Sequence, residues 1–148
     1  VNPDQGMHWP ISTDLTALRH RITQAATLAG LTGTRRDDLL LAANEAVINV
    51  LEHGGGVGTV TFWHDEEGVS VEISDTVGLL TPRDVDRRRP SAHADGGFGL
   101  WLMGQLCDEF TIHQQEGRSI VRLRMRLHPA FVPQPGAAVP QPGAAMPE

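Results

Sequence analysis

Three places in this chain hold residues that neither a plain core nor a plain surface would choose, and together they suit a ligand offering an amino group and negative charge. The first is Glu45 with Asn49, in a stretch whose apolar positions Leu39, Leu40, Ala43, Val47, Val50 and Leu51 keep helical spacing. The pair lies opposite that apolar face, one turn apart. Within a turn of Glu45 stand Leu41, Ala42 and Ile48, and charge returns only at Asp38 and Glu52. Burying an unpaired amide in such a frame costs about 1–3 kcal/mol, and a charge costs more. A pocket wall would answer for the pair; taken alone, the helix fits a surface polar stripe from Asp38 to Glu52 slightly better.

Asp75 is the second place. Val69, Val71 and Ile73 alternate with Ser70, Glu72 and Ser74, so Asp75 falls on the inward face of a strand. An acid there needs a donor, either a backbone N–H of the following turn or the amino group of a ligand. The third place is Gly97-Phe98-Gly99 at the start of a helix, where glycine lets backbone approach a ligand and free N–H groups attract anions. The polar loop ahead of it carries Arg83, Arg87, Arg88 and Arg89; it could close over phosphates or form a surface excursion.

Composition narrows the chemistry. All 12 basic residues of the 148-residue chain are Arg, against 18 acids, for a net charge of −6. With no Lys there is no P-loop of the G-x-x-x-x-G-K-[ST] type, no Val-Ala-Ile-Lys kinase strand, and no Schiff-base or Ser-Lys catalysis. A single Cys excludes an intrachain disulfide framework or thiolate zinc cluster and points to a reducing compartment. The acidic balance argues against a direct nucleic-acid binder, since its field repels phosphates. No apolar run is long enough to span a membrane and the start does not read as a signal peptide, so a cytoplasmic location is expected.

The elements that must position these residues follow from periodicity and punctuation. Residues 1–7 read as an N-terminal extension, 8–128 as one domain and 129–148 as a disordered tail, in which VPQPGAA occurs twice in succession. Ser12 is expected to cap a first helix through Leu15, Leu18, Ile22, Ala25, Ala26 and Ala29, stopped by Gly30, and Thr34 a second helix to about His53, ended by Gly54-Gly55-Gly56. Strands are expected at 59–64 and 69–75, a third helix to about Cys107, and a last hairpin at 109–114 and 119–127. The order ααββαββ, with room for a short strand ahead of it, predicts an α+β two-layer sandwich, helices on one face of a mainly antiparallel sheet. Arg122, Arg124 and Arg126 then form a row on the open face, read as a solvated sheet surface rather than an anion site.

In order, Glu45-x-x-x-Asn49-x-x-x-His53, Asp75, Gly97-x-Gly99-Leu100 and Gly117-x-Ser119 resemble the Bergerat-fold (GHKL, histidine-kinase-like) ATPases. More closely, the chain is similar to bacterial anti-sigma-factor serine kinases and the related actinobacterial ATP-binding regulators. The resemblance implies ATP and Mg²⁺ as ligands, with Glu45 the general base toward a serine hydroxyl and Asn49 the magnesium ligand. It implies that Asp75 accepts from the adenine amino group, that Gly97, Gly99 and Leu100 meet the phosphates, and that Ser119 stands near adenine where the family usually has Thr. The implied partners are a sigma factor and an anti-sigma-factor antagonist protein, with monomer and homodimer both open.

One stretch departs from the pattern. The family's D-x-G-x-G is Asp75-Thr76-Val77-Gly78-Leu79 here, with Gly78 the glycine of the adenine-binding turn, displaced between two apolar residues. That departure keeps a second reading open, a non-catalytic interaction module of the same fold with weak or no ATP binding.

Overall fold

The computed structural model describes residues 5–86 and 98–128. Its elements run β1 (Met7–Pro10), α1 (Leu15–Leu28), α2 (Gly33–His53), β2 (Thr59–His64), β3 (Gly68–Ser74), a 3-10 turn (Pro82–Asp86), α3 (Phe98–Leu106), β4 (Glu109–Gln115) and β5 (Arg118–Arg126). The strands form one antiparallel sheet in the order β1-β2-β3-β5-β4. This is the expected α+β sandwich, with the short leading strand present. Loop residues 87–97 and the tail from 129 lie outside the described residues.

The alternation of β2, β3 and β5 dictates the layers. Val60, Phe62, Val69, Val71, Ile73, Val121, Leu123 and Met125 are buried on one face. They meet Leu18 and Ile22 of α1, Leu39, Val47 and Val50 of α2, and Leu100 and Met103 of α3 in one core cluster. Each such side chain contributes about 1.5–3 kcal/mol when fully withdrawn from water. Cys107 belongs to the same cluster. Burial, with the charges of Asp108 and Asp38, pushes its thiol up to about 12, so it is no nucleophile at neutral pH.

Helix ends differ from expectation where two capping residues compete. Asp14, not Ser12, caps α1, accepting from Ala17 N–H at 3.0 Å, while Ser12 Oγ accepts from Asp14 N–H. A carboxylate nearer the helix favours the positive end of its dipole. At the other end Gly30 N–H bonds Thr27 C=O and Leu31 N–H bonds Ala26 C=O, with φ of Gly30 at +101°, a Schellman stop. Helix α2 begins at Gly33 with Thr32 in the cap position and no side-chain cap bond, so Thr34 already lies inside. An ion pair holds that end instead: Arg35 reaches both Asp108 and the Arg126 carbonyl, and Asp108 also accepts from Arg126 N–H at 2.7 Å.

Helix α2 is also buried more broadly than a single stripe predicts. Leu40 and Leu51 are only partly buried, whereas Ala42 and Ala46, on the side of Glu45, are fully buried. Helix α3 packs against α2 and accounts for this. Small alanines there let the two helices approach closely.

Candidate functional site

A cavity of about 400 Å³ opens between α2, β3, the turn after it, α3 and β5. Its walls include Glu45, Asn49, Asp75, Leu79, Leu80, Gly99, Leu100 and Ser119. The fold thus brings together six of the eight candidate residues as lining, Glu45, Asn49, Asp75, Gly99, Leu100 and Ser119. Gly78 lies in the turn behind Asp75, and Gly97 lies outside the described residues. The Glu45–Asn49 pair therefore lines a pocket, against the surface stripe that the helix alone favoured. The covering α3, distant in sequence, makes the difference.

At one end stands Asp75, 4% exposed. Its backbone N–H bonds the Ser119 carbonyl at 3.0 Å, extending the β3–β5 ladder by a residue and turning the side chain inward. Oδ1 accepts three backbone N–H groups, from Val77 at 3.1 Å and from Gly78 and Ser119 at 2.9 Å. The protein thus supplies the donors of the first kind foreseen, on one oxygen only. Among the described residues no donor reaches Oδ2. Gly54 lies against it, where a Cβ would come within 3.2 Å of Oδ2 and 2.9 Å of the Val50 Cα. The sequence pointed to Gly54 only as a helix stop; its need to be glycine here is proximity, since its φ is −99°.

At the other end, α3 starts beside Glu45 and Asn49. A Cβ on Gly99 would meet Glu45 Oε2 at 3.0 Å and Asn49 Nδ2 at 3.7 Å, so glycine sets how near the helix start comes to the pair. The side chains of Glu45 and Asn49 form no hydrogen bond among the described residues. Exposed Phe98 and Leu79 line the cavity's walls, and Phe98 meets Trp101 edge to face at 6.3 Å. Among the described residues, His53 is the one lining side chain that can carry positive charge, against Glu45, Glu52 and Asp75.

The departure after Asp75 is accommodated by Gly78. Its φ is +73°, and a Cβ there would lie 2.5 Å from the Gly117 carbonyl oxygen. The left-handed residue of the turn is Gly78, leaving Val77 and Leu79 in ordinary backbone regions, with the Val77 side chain beside Gly55 and Leu79 at the cavity wall.

The sequence profile of the histidine kinase-like ATPase domain matches residues 10–125. The chain belongs to that family. The ATPase domain is also similar to the serine-protein kinase RsbW of Staphylococcus aureus, in strains JH9, Newman and USA300. Each is 28% identical over 130 residues, covering 77% of this chain and 81% of the relative.

The Arg row of the ATPase domain is no open anion site. Arg122 bonds Glu72 Oε1 through Nε at 2.8 Å and lies 5.3 Å over the Trp63 ring. Arg124 holds Asp65 Oδ1 at 2.9 Å and Oδ2 at 3.0 Å and also bonds Ser70 Oγ. Arg126 approaches Glu109. The expected solvated face is a self-paired one, and Trp63 is only 6% exposed on it. No helix among the described residues is long and apolar enough to cross a membrane.

Proposed function

We propose that this chain is an ATP-binding anti-sigma regulatory factor that acts as a serine protein kinase in a partner-switching pathway, transferring phosphate to an anti-sigma-factor antagonist in the cytoplasm. The observation that carries this reading is the distribution of unsatisfied acceptors. Asp75 Oδ2 at one end of the cavity, and Glu45 and Asn49 at the other, are left for a ligand. The similarity to a serine-protein kinase over most of the chain supports the choice of phosphoryl acceptor.

ATP fits the site in size and chemistry. Asp75 Oδ2 accepts the adenine amino group, with Ile73, Leu79, Leu80 and Val121 as apolar surroundings and Ser119 alongside. Asn49 is the residue to hold Mg²⁺ through its carboxamide oxygen. When bound, the ion would neutralise charge on the phosphates, beside a lining that among the described residues carries three carboxylates and one His. The start of α3 at Gly99 and Leu100, preceded by Gly97, offers backbone N–H groups to the phosphates. In this reading Glu45 is the general base: it takes the proton of the serine hydroxyl as Oγ bonds the γ-phosphorus and the bond to the β–γ bridging oxygen breaks, releasing ADP.

Calorimetry with Mg-ATP on the wild type, Asp75→Asn and Asn49→Ala tests the site, and labelled-phosphate transfer to the antagonist tests the activity. Binding by the wild type, weakened in both variants and lost with EDTA, is expected. Equal heats in all three proteins would end the site assignment. The second reading, a non-catalytic module of the same fold, draws on the apolar pair Val77 and Leu79 in the turn. It gains if the wild type binds ATP and never labels a partner.

A further inference from the structure

The turn after Asp75 is held by two side chains from the β4–β5 hairpin, and only one of them was visible as a candidate. Gln114 and Ser119 are direct cross-strand partners. Gln114 shares its strand face with buried Ile112, and Ser119 shares its own with Val121, so both point to the helix side of the sheet. Gln114 Nε2 donates to the Gly78 carbonyl at 2.8 Å, and Ser119 Oγ donates to the Leu80 carbonyl at 2.7 Å. Two donors side by side thus hold two carbonyls separated by one residue. That residue is Leu79.

The consequence is geometric. Gly78, in the left-handed region and pressed on Gly117, sets the path of the turn, and the paired donors hold the Gly78–Leu79 and Leu80–Thr81 peptide groups, pinning the Leu79–Leu80 step at both ends. Leu79 remains 64% exposed yet lines the cavity. An exposed Leu standing over a cavity gains by packing on a flat apolar ligand, whereas a free turn would let it swing into water.

We propose that Gln114 is a positioning residue: together with Ser119 it clamps the turn so that Leu79 forms the apolar wall against which the base of the nucleotide packs. The inference rests on the cavity being the ATP site. In this chain a side chain takes the place of the bare glycine backbone at the end of the family's D-x-G-x-G pattern.

The experiment measures Mg-ATP affinity by calorimetry, and displacement of a fluorescent ATP analogue by Mg-tripolyphosphate, in the wild type, Gln114→Leu and Leu79→Gly. Gln114→Leu removes the donor without adding charge; it is expected to weaken ATP about five-fold, the worth of one exposed hydrogen bond, and to leave tripolyphosphate unmoved. Leu79→Gly loses about ten-fold for ATP alone. Equal losses for ATP and tripolyphosphate, no loss in Gln114→Leu, or tighter ATP binding in Leu79→Gly would each overturn the proposal. A wild type that binds no ATP would overturn the nucleotide reading itself, an outcome distinct from any of these.

Discussion

The open face of the sheet and the cavity on its helix side treat their polar side chains in opposite ways. On the open face, Arg122 is matched by Glu72 and Arg124 by Asp65, so the charges neutralise one another across strands. On the helix face, Asp75 Oδ2, Glu45 and Asn49 have no hydrogen-bonding partner among the described residues, although each borders a concave space. Acceptors that face a cavity without a protein partner are free to take a ligand's donors, whereas paired charges on a convex face are complete as they stand. A binding site is therefore told from a charged surface by which groups remain unsatisfied, not by how many there are.

The largest test of that contrast is Glu45→Ala. If Glu45 is unpaired because it waits for a hydroxyl proton, its loss lowers the rate of phosphate transfer by about 10²–10⁴-fold while ATP affinity is retained. Single-turnover labelling of the antagonist beside calorimetry separates the two quantities. A variant that transfers phosphate at the wild-type rate would return Glu45 to a structural role.

Next in size is Gly78→Ala. A methyl group would strike the Gly117 carbonyl oxygen from a backbone held at φ +73°, so the expected cost is about 2–3 kcal/mol of folding stability, with weaker ATP binding because Asp75 Oδ1 loses its aligned donors. Thermal unfolding with and without Mg-ATP reads both effects. An unchanged melting temperature would mean that the turn takes another path.

How much of this was legible in the sequence follows from the range over which each signal acts. Helices, strands and their order were readable because alternation and helical spacing are local, and Asp75 stood out because it broke a strand pattern. The choice of Asp14 over Ser12 as cap was not readable, since both can accept from a helix start and only geometry selects one. The burial of Ala42 and Ala46, and with it the pocket position of Glu45, depends on α3 more than 50 residues later. Gln114 carried no signal at all: an amide on an edge strand is ordinary until the Gly78 carbonyl is found beside it. Gly97 and the arginines 87–89 lie outside the described residues, and their part in the site stays with the family resemblance.

A smaller effect is expected from Arg122→Ala, made on the self-paired face. It strips a half-exposed guanidinium from Glu72 and from the Trp63 ring, costing about 1–2 kcal/mol of stability with ATP affinity unchanged. If nucleotide binding fell as well, the two faces would be coupled and the contrast between them would fail.

The smallest effect is a pH dependence carried by Asp65. Its hydrogen bonds from Arg124, joined by backbone N–H groups of Glu67 and Gly68, hold its carboxyl down at about 2, below the ordinary 3.8. A carboxylate whose folded value is depressed binds its proton more readily when unfolded, so its contribution is complete above about pH 4 and is lost as pH falls toward 2. Because the group is solvent-accessible, screening limits that contribution to about 1 kcal/mol or less. Melting temperatures of the wild type and Asp65→Asn should therefore differ by a small, constant amount near neutrality and converge between about pH 4 and pH 2. A difference that persisted at pH 2 would show that the Asp65–Arg124 pair stabilises through shape and hydrogen bonding rather than charge, and that the open face is less fully described by charge matching than the cavity is by its absence.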